Sequence, residues 1–308
     1  MGDDMAQART APRPSAPPRP FQTGPATWSR ANREGAVAAG VAAVGLVVIG
    51  IWLHDTPTGS LRTWGTRLTA AGDLTGLAGT YLVLVQIVLM GRIPPLERLL
   101  GMDRLAVWHR RNGQYCICLL VAHALLTIWG YGLTGHTNVA SEAKHVVLDY
   151  PDMLMATVGL ALFVVIGAVS VRAARSRLHY ETWYFIHLYA YIAIALSFAH
   201  QFATGTDFIT HPANRALWTV LYVLAFAPLL WYRFATPVRS FLRHHLEVAG
   251  VVEEGPSAVS VYITGDHLDE VRAEAGQFFL WRFLTPQGWW QAHPFSLSAA
   301  PNPQWLRF

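Results

Sequence analysis

Six apolar runs alternate with short polar connections along this chain, at roughly residues 36–53, 74–90, 114–131, 153–171, 183–202 and 216–232. Each is close to the ~20 residues a helix needs to cross a bilayer. Trp52, Trp108, Trp129, Trp183, Trp218 and Trp231 fall near the ends of runs, where membrane interfaces favour aromatic rings. After Arg243 the periodicity changes. "LEVAGVVEEG" and "SAVSVYITG" alternate apolar and polar positions, with Val259, Val261 and Ile263 on one face, and "GQFFLWRFL" reads as a further strand. The pattern predicts a mainly α membrane protein: a six-helix transmembrane bundle over residues 35–236, followed by a β-rich domain over 242–308.

Composition agrees with a membrane span. The 308 residues are 53% hydrophobic and 14% charged, against about 25% charged in a soluble domain. A net charge of +4 does not point to nucleic acid, because the Arg residues sit between apolar runs and form no continuous basic face. Residues 1–34 are rich in Pro and Arg and read as a disordered tail. The first apolar run starts at Ala36, too late for an ordinary signal peptide. "MGDDMA" lacks the Ser or Thr that myristoylation expects at position six. Cys116 and Cys118 lie two residues apart within a span, pointing in different directions, and read as inert buried thiols.

Basic residues orient the bundle. The tail carries five Arg, the connection to the second run carries Arg62 and Arg67, and the next carries Arg92, Arg98, Arg104, Arg110 and Arg111. Lys144 stands alone, then come Arg172, Arg175 and Arg177, then Arg215 alone, then Arg233, Arg239 and Arg243. The alternation predicts a multi-pass plasma-membrane protein with both termini cytoplasmic.

Four histidines fall in two spans that run in the same direction. The third, "AVWHRRNGQYCICLLVAHALLTIWGYG", holds His109 and His123; the fifth, "YETWYFIHLYAYIAIALSFAHQF", holds His187 and His200. The separations, 123 − 109 = 14 and 200 − 187 = 13 residues, are about 21 Å and about 20 Å of helix. His109 therefore lies level with His187 near the cytoplasm, and His123 with His200 near the outside. Two facing pairs at two depths suit two bis-His haems, since imidazole is a common axial ligand. On an ideal helix His109 and His123 share a face, but His200 lies about 140° from His187, so the fifth helix must bend or present its two ligands to different sides. Ionisable groups inside spans are costly and usually functional. Packing residues are the plain alternative. Zinc is less suited, because no third or fourth ligand is evident at either level. His54, His136, His145 and His211 fall in outer loops.

A six-span bundle with paired His on spans three and five resembles the ferric reductase and NADPH oxidase superfamily, carried by "HRRNGQYCICLLVAH" and "YETWYFIHLYAYIAIALSFAH" with their unequal spacings. The resemblance covers roughly residues 74–308. A second motif, "WWQAHPFSLSAAP", resembles the flavin motif of ferredoxin-reductase-type FAD domains. It implies a truncated antiparallel β-barrel in which His293, Pro294, Phe295, Ser296, Leu297 and Ser298 bind FAD. Phe295 would pack on the flavin, Ser296 would lie near its reactive nitrogen, and His293 would replace an Arg of soluble relatives. "AGQF", ending at Phe278, also fits the family.

The resemblance implies a transmembrane flavocytochrome b oxidoreductase with two b haems and FAD, passing electrons from NAD(P)H to an external acceptor. Ferric iron is the favoured acceptor. Superoxide-forming relatives tend to carry a further His one turn after the outer ligand, where this chain has Thr127. Oxygen is the rival acceptor, and a non-catalytic dihaem relay subunit is a rival of another class. A His-lined transporter is disfavoured by the lack of an Asp or Glu relay. No G-x-G-x-x-G turn comes after the flavin motif, so the chain is expected to be truncated before its nicotinamide domain. NAD(P)H would act through that domain or a separate reductase, leaving the isolated chain inactive with NAD(P)H. Arg110, Arg111 and Arg175 are candidate partners for inner haem propionates, although the positive-inside rule explains them equally well.

Overall fold

The computed structural model describes residues 29–171, 175–271, 277–286, 288 and 291–308. The helices are α1 (Arg30–Asp55), α2 (Trp64–Leu89), α3 (Pro94–Leu100), α4 (Met102–Thr134), α5 (Val139–Asp149), α6 (Met153–Ser170), α7 (Tyr180–Thr204), α8 (Pro212–Leu230) and α9 (Thr236–His244). A single turn, Thr206–Ile209, precedes α8, and a π-helical turn, Trp231–Ala235, joins α8 to α9. Among the described residues six helices are long and apolar enough to cross a membrane, one for each apolar run. The chain is an integral multi-pass membrane protein.

The first helix starts earlier than the hydropathy implied. Ser29 accepts a hydrogen bond from the Asn32 backbone, a side-chain cap that satisfies one free N–H of the first turn. Residues 30–34, assigned to the tail by composition, are therefore helical, and Glu34 accepts from Arg104 at 2.8 Å. The rest of the expected tail lies outside the described residues. Three short helices carry no apolar run and were invisible to hydropathy. Of these, α3 opens on Pro94–Pro95 and ends at Gly101, whose φ of 82° suits glycine and allows the chain to turn directly into α4.

The tightest helix pair is α2 against α4, running antiparallel along a seam of small residues. Gly65 faces Thr134, Gly72 faces Thr127, Gly76 faces His123, and Gly79 faces Leu120. Gly65, Gly72 and Gly79 recur every seven residues, which keeps them on one face of α2. In a membrane, where water does not drive helices together, such small residues allow the close backbone approach from which packing energy comes. Cys116 is buried at this seam near the Gly79 carbonyl, whereas Cys118 is exposed on the outer face of α4; both thiols are free. A second pair, α6 and α7, meets where Gly159 lies against Ala193 and Ser197. The two pairs touch where Gly167 on α6 meets Ile117 on α4. By contrast, α4 and α7, which carry the four histidines, have little direct backbone contact.

The C-terminal segment forms β1 (Glu247–Gly255), β2 (Ala258–Thr264), β3 (Phe278–Trp281), β4 (His293–Ser296) and β5 (Leu306–Arg307). They make a three-stranded sheet in the order β1-β2-β5 and a two-stranded β3-β4 sheet, all antiparallel. Among the described residues these two sheets do not close into the barrel expected from the resemblance. Ile263, Leu268 and Leu306 form their buried centre. Residues 242–244, placed in the β domain by composition, are the last turn of α9.

Candidate functional site

The seam between α2 and α4 sets the position of His123. Because residue 76 has no side chain, the imidazole lies directly against α2; a Cβ there would come within 2.7 Å of Nδ1. Nδ1 is 2.8 Å from the Gly72 carbonyl oxygen. A carbonyl only accepts, so Nδ1 carries the proton and donates, which leaves Nε2 with a free lone pair. That is the arrangement a histidine ligand usually has, its second nitrogen held by a backbone carbonyl. Thr127 Oγ1 lies 3.5 Å from the same Nδ1 and closes the ring in from the outer side.

His200 is carried by α7. Its Nδ1 is buried without a hydrogen-bond partner among the described residues. At the other level His109 and His187 face each other with ring centroids 5.9 Å apart and planes at 66°. Their Nδ1 atoms are likewise buried and unpartnered among the described residues. Buried polar nitrogens without partners are uncommon and require an explanation. α7 runs unbroken from Tyr180 to Thr204, so no break in the helix relieves the expected 140° offset along the fifth span.

The inner pair has an aromatic support. Trp183 stacks on His187 at 5.1 Å and 26°, and the Arg175 guanidinium lies 4.3 Å over the Trp183 ring. Arg175, a candidate propionate partner in the sequence, is thus engaged in a cation–π contact one layer behind His187. One turn beyond His109, Asn112 donates to the Leu82 carbonyl and to Gln86 Oε1, each at 2.9 Å, which fixes α4 on α2 at this depth. The Gly72 contact crosses between helices and spacing alone does not reveal it, whereas Trp183 and His187 are i and i+4 on one helix, a spacing the sequence displays. The glycine spacing on α2 was the available signal.

Two opposed imidazoles can hold one metal centre between them. With metal–nitrogen bonds of about 2 Å, ring centroids on either side of a metal lie about 6 Å apart, which the His109–His187 separation matches. No group of three or more His, Cys, Asp or Glu that could hold a metal ion occurs among the described residues. The donor sets are therefore pairs, suited to a group that supplies its own equatorial ligands rather than to a bare ion.

The outer-loop histidines divide. His54 and His211 both approach Asp55, at 2.9 Å and 3.9 Å, and Asn214 donates to the same carboxylate at 2.7 Å, which joins the outer ends of α1 and α8. His145 lies 3.8 Å from Glu142 and from Asp149.

Four of the six residues of the proposed flavin motif form one strand, and the other two follow it toward the second sheet. His293, Pro294, Phe295 and Ser296 form β4 and pair with Trp281, Leu280, Phe279 and Phe278. Phe295 is exposed, with its ring 5.1 Å from and nearly parallel to that of Phe308, and His293 lies 6.2 Å behind it. Leu297 packs against the small buried centre of the sheets. The Ser298 backbone donates to the Arg307 carbonyl at 2.8 Å, and its hydroxyl accepts from Arg307 Nε at 3.0 Å.

Residues 75–198 match the sequence model of a family described as ferric reductase like transmembrane component. The match spans α2 to α7, includes His109, His123 and His187, and stops two residues short of His200. It supports the superfamily and, with it, a transmembrane oxidoreductase. No curated protein matches the chain.

Proposed function

We propose that this protein carries electrons across the bilayer, from FAD bound at the C-terminal sheets to an acceptor outside, through two b haems. His109 and His187 would hold the inner haem, and His123 and His200 the outer one. The observation that carries the reading is the opposed inner pair, two imidazoles 5.9 Å apart on helices that otherwise barely meet. The second pair lies about 20 Å further along the same two helices. Bound haem supplies one-electron redox chemistry, and closed bis-His ligation suits transfer rather than oxygen binding at the iron.

The chain's own residues do the positioning. The Gly72 carbonyl holds the proton of His123 on Nδ1 and directs Nε2 inward. Trp183 fixes the plane of His187, and the α2–α4 seam fixes the depth of both α4 ligands. The exposed Phe295 ring and the neighbouring Ser296 hydroxyl form the surface on which a flavin ring would rest, with NAD(P)H as the ultimate donor. Ferric iron is the acceptor we favour. Thr127, where superoxide-forming relatives carry a His, is here packed against Gly72 and offers no further ligand.

The test is the absorbance spectrum of the membrane-purified chain, oxidised and dithionite-reduced, with haem iron counted per chain. Two low-spin b haems are expected, with one lost in His109→Ala and the other in His123→Ala. Folded protein without haem would remove the reading. Ferric chelate reduction against superoxide formation, in vesicles supplied with a reductant, decides the acceptor.

A further inference from the structure

The helix of the sixth span is longer than the membrane. From Pro212 it runs through the π-turn and α9 to His244, 33 residues in all, or about 50 Å. The hydrocarbon core is about 30 Å thick, and the 19 residues of α8 cover about 28 Å of it. Residues Trp231–His244 are surplus to the crossing. Arg233 donates to the Met90 carbonyl at 3.5 Å, at the end of α2, and this marks the boundary where the surplus begins.

The surplus is amphipathic. Trp231, Phe234, Val238, Phe241 and Leu242 are each more than half exposed. They recur at i, i+3, i+7, i+10 and i+11, which places them along one side of the helix. This side continues the lipid-facing residues Val220, Val223, Leu224 and Leu230 of α8, which are exposed in the same way. Arg239 flanks the apolar side of α9. Pro228, the π-turn and Pro237 are features at which helices change direction.

We propose that Trp231–His244 lies along the cytoplasmic headgroup layer as an amphipathic collar seated on anionic phospholipid. Its apolar side enters the acyl boundary, while Arg233 and Arg239 meet the headgroup phosphates. Continuity with the lipid face of α8 and the charge of the two arginines select lipid over a protein partner. A helix projecting straight into the cytoplasm would leave Phe241 and Leu242 in water. At its far end the collar holds the sheets: Arg243 donates to Glu270 at 2.7 Å, His245 lies 3.1 Å from Asp266, and the Asp266 backbone donates to the His244 carbonyl at 2.7 Å. Anionic lipid thereby seats the C-terminal sheets against the membrane. The inference needs the membrane span and, for the cytoplasmic side, the proposed orientation, and stands apart from the haem reading.

The full chain, with Cys116→Ala and Cys118→Ala, is spin-labelled at Phe241→Cys, at Val238→Cys and, on the opposite side, at Ser240→Cys. It is then placed in nanodiscs of phosphatidylcholine with or without phosphatidylglycerol. In the anionic discs the labels at 238 and 241 should collide with oxygen and be shielded from a water-soluble nickel chelate, while the label at 240 meets the chelate. Arg239→Gln should lower the oxygen preference at 241 several-fold in anionic discs. Chelate access at 238 and 241 in anionic discs would overturn the proposal, as would shielding from both reagents, which would mean a protein cover or a second copy. Equal behaviour in the two lipids would remove anionic recognition.

Discussion

A methyl group at residue 76 would displace the ring of His123. The Cβ of Gly76→Ala would meet Nδ1 at 2.7 Å and Cε1 at 2.9 Å, and overpacking of this kind costs about 1–3 kcal/mol. The ring would leave the Gly72 carbonyl and lose its orientation toward His200. Gly76→Ala is expected to retain the inner haem and lose most of the outer one, read as haem iron per chain and by the reduced spectrum. Two haems at wild-type occupancy would show that the seam does not position the ligand. On the inner level Trp183 is the corresponding support, since it stacks on His187 under Arg175. Trp183→Leu should keep haem content and shift the low-spin electron paramagnetic resonance signature of the inner haem, and Trp183→Phe should restore it. Identical signatures in all three proteins would assign Trp183 to packing alone.

Element by element, legibility tracked the length scale of the interaction. The six spans could be read because each is a run of apolar residues with polar ends. The α3, α5 and α9 helices could not, because 7 to 11 residues with mixed faces give no such run. The strand periodicity of β1 and β2 was readable, but not which part of the shared face is covered. Ile263 is buried where β5 adds to the sheet, whereas Val259 on the same face stays exposed. The four histidines were visible in the sequence, and so was the seven-residue glycine spacing. That the glycines face α4 was not, since a spacing names no partner. The joint between α9 and the sheets, also hidden from the sequence, depends on charge. The hydrogen bond from Arg243, chiefly, holds the Glu270 carboxyl below its ordinary value of 4.5. A lowered value means the contact favours the joined state above the ordinary value and is lost as pH falls through the lowered one. Hydrogen exchange of Asp266–Val271 should therefore be slower in the wild type than in Glu270→Gln at neutral pH, and the difference should vanish in acid. Equal exchange at neutral pH would show that the pair, which lies at the surface, contributes nothing, as many surface ion pairs do.

At the scale of the whole molecule, the direction of the proposed electron flow depends on which end of the bundle faces the cytoplasm. The structure places His109 and His187 at the same end as Met90, Arg175 and α9, and that end leads directly into the β-sheets through His245. If both termini are cytoplasmic, the sheets proposed to bind FAD lie on the same side as the His109–His187 end, and the proposed electron path would leave through His123 and His200 toward the loops that carry His54, His145 and His211. The basic residues argue for this sense, because Arg92, Arg98, Arg104, Arg110, Arg111, Arg172, Arg175, Arg177, Arg233, Arg239 and Arg243 gather at one end, against Arg62, Arg67, Lys144 and Arg215 at the other. Single cysteines at exposed loop positions test it in whole cells, with Cys116 and Cys118 replaced. Lys144→Cys should react with a membrane-impermeant maleimide from outside, and Arg177→Cys only after the membrane is opened. The reverse pattern would put the flavin motif and the Arg-rich connections outside. The bundle and its paired histidines would survive that result, but the proposed donor and acceptor would exchange sides, and cytoplasmic NAD(P)H would no longer have access to the sheets proposed to bind FAD.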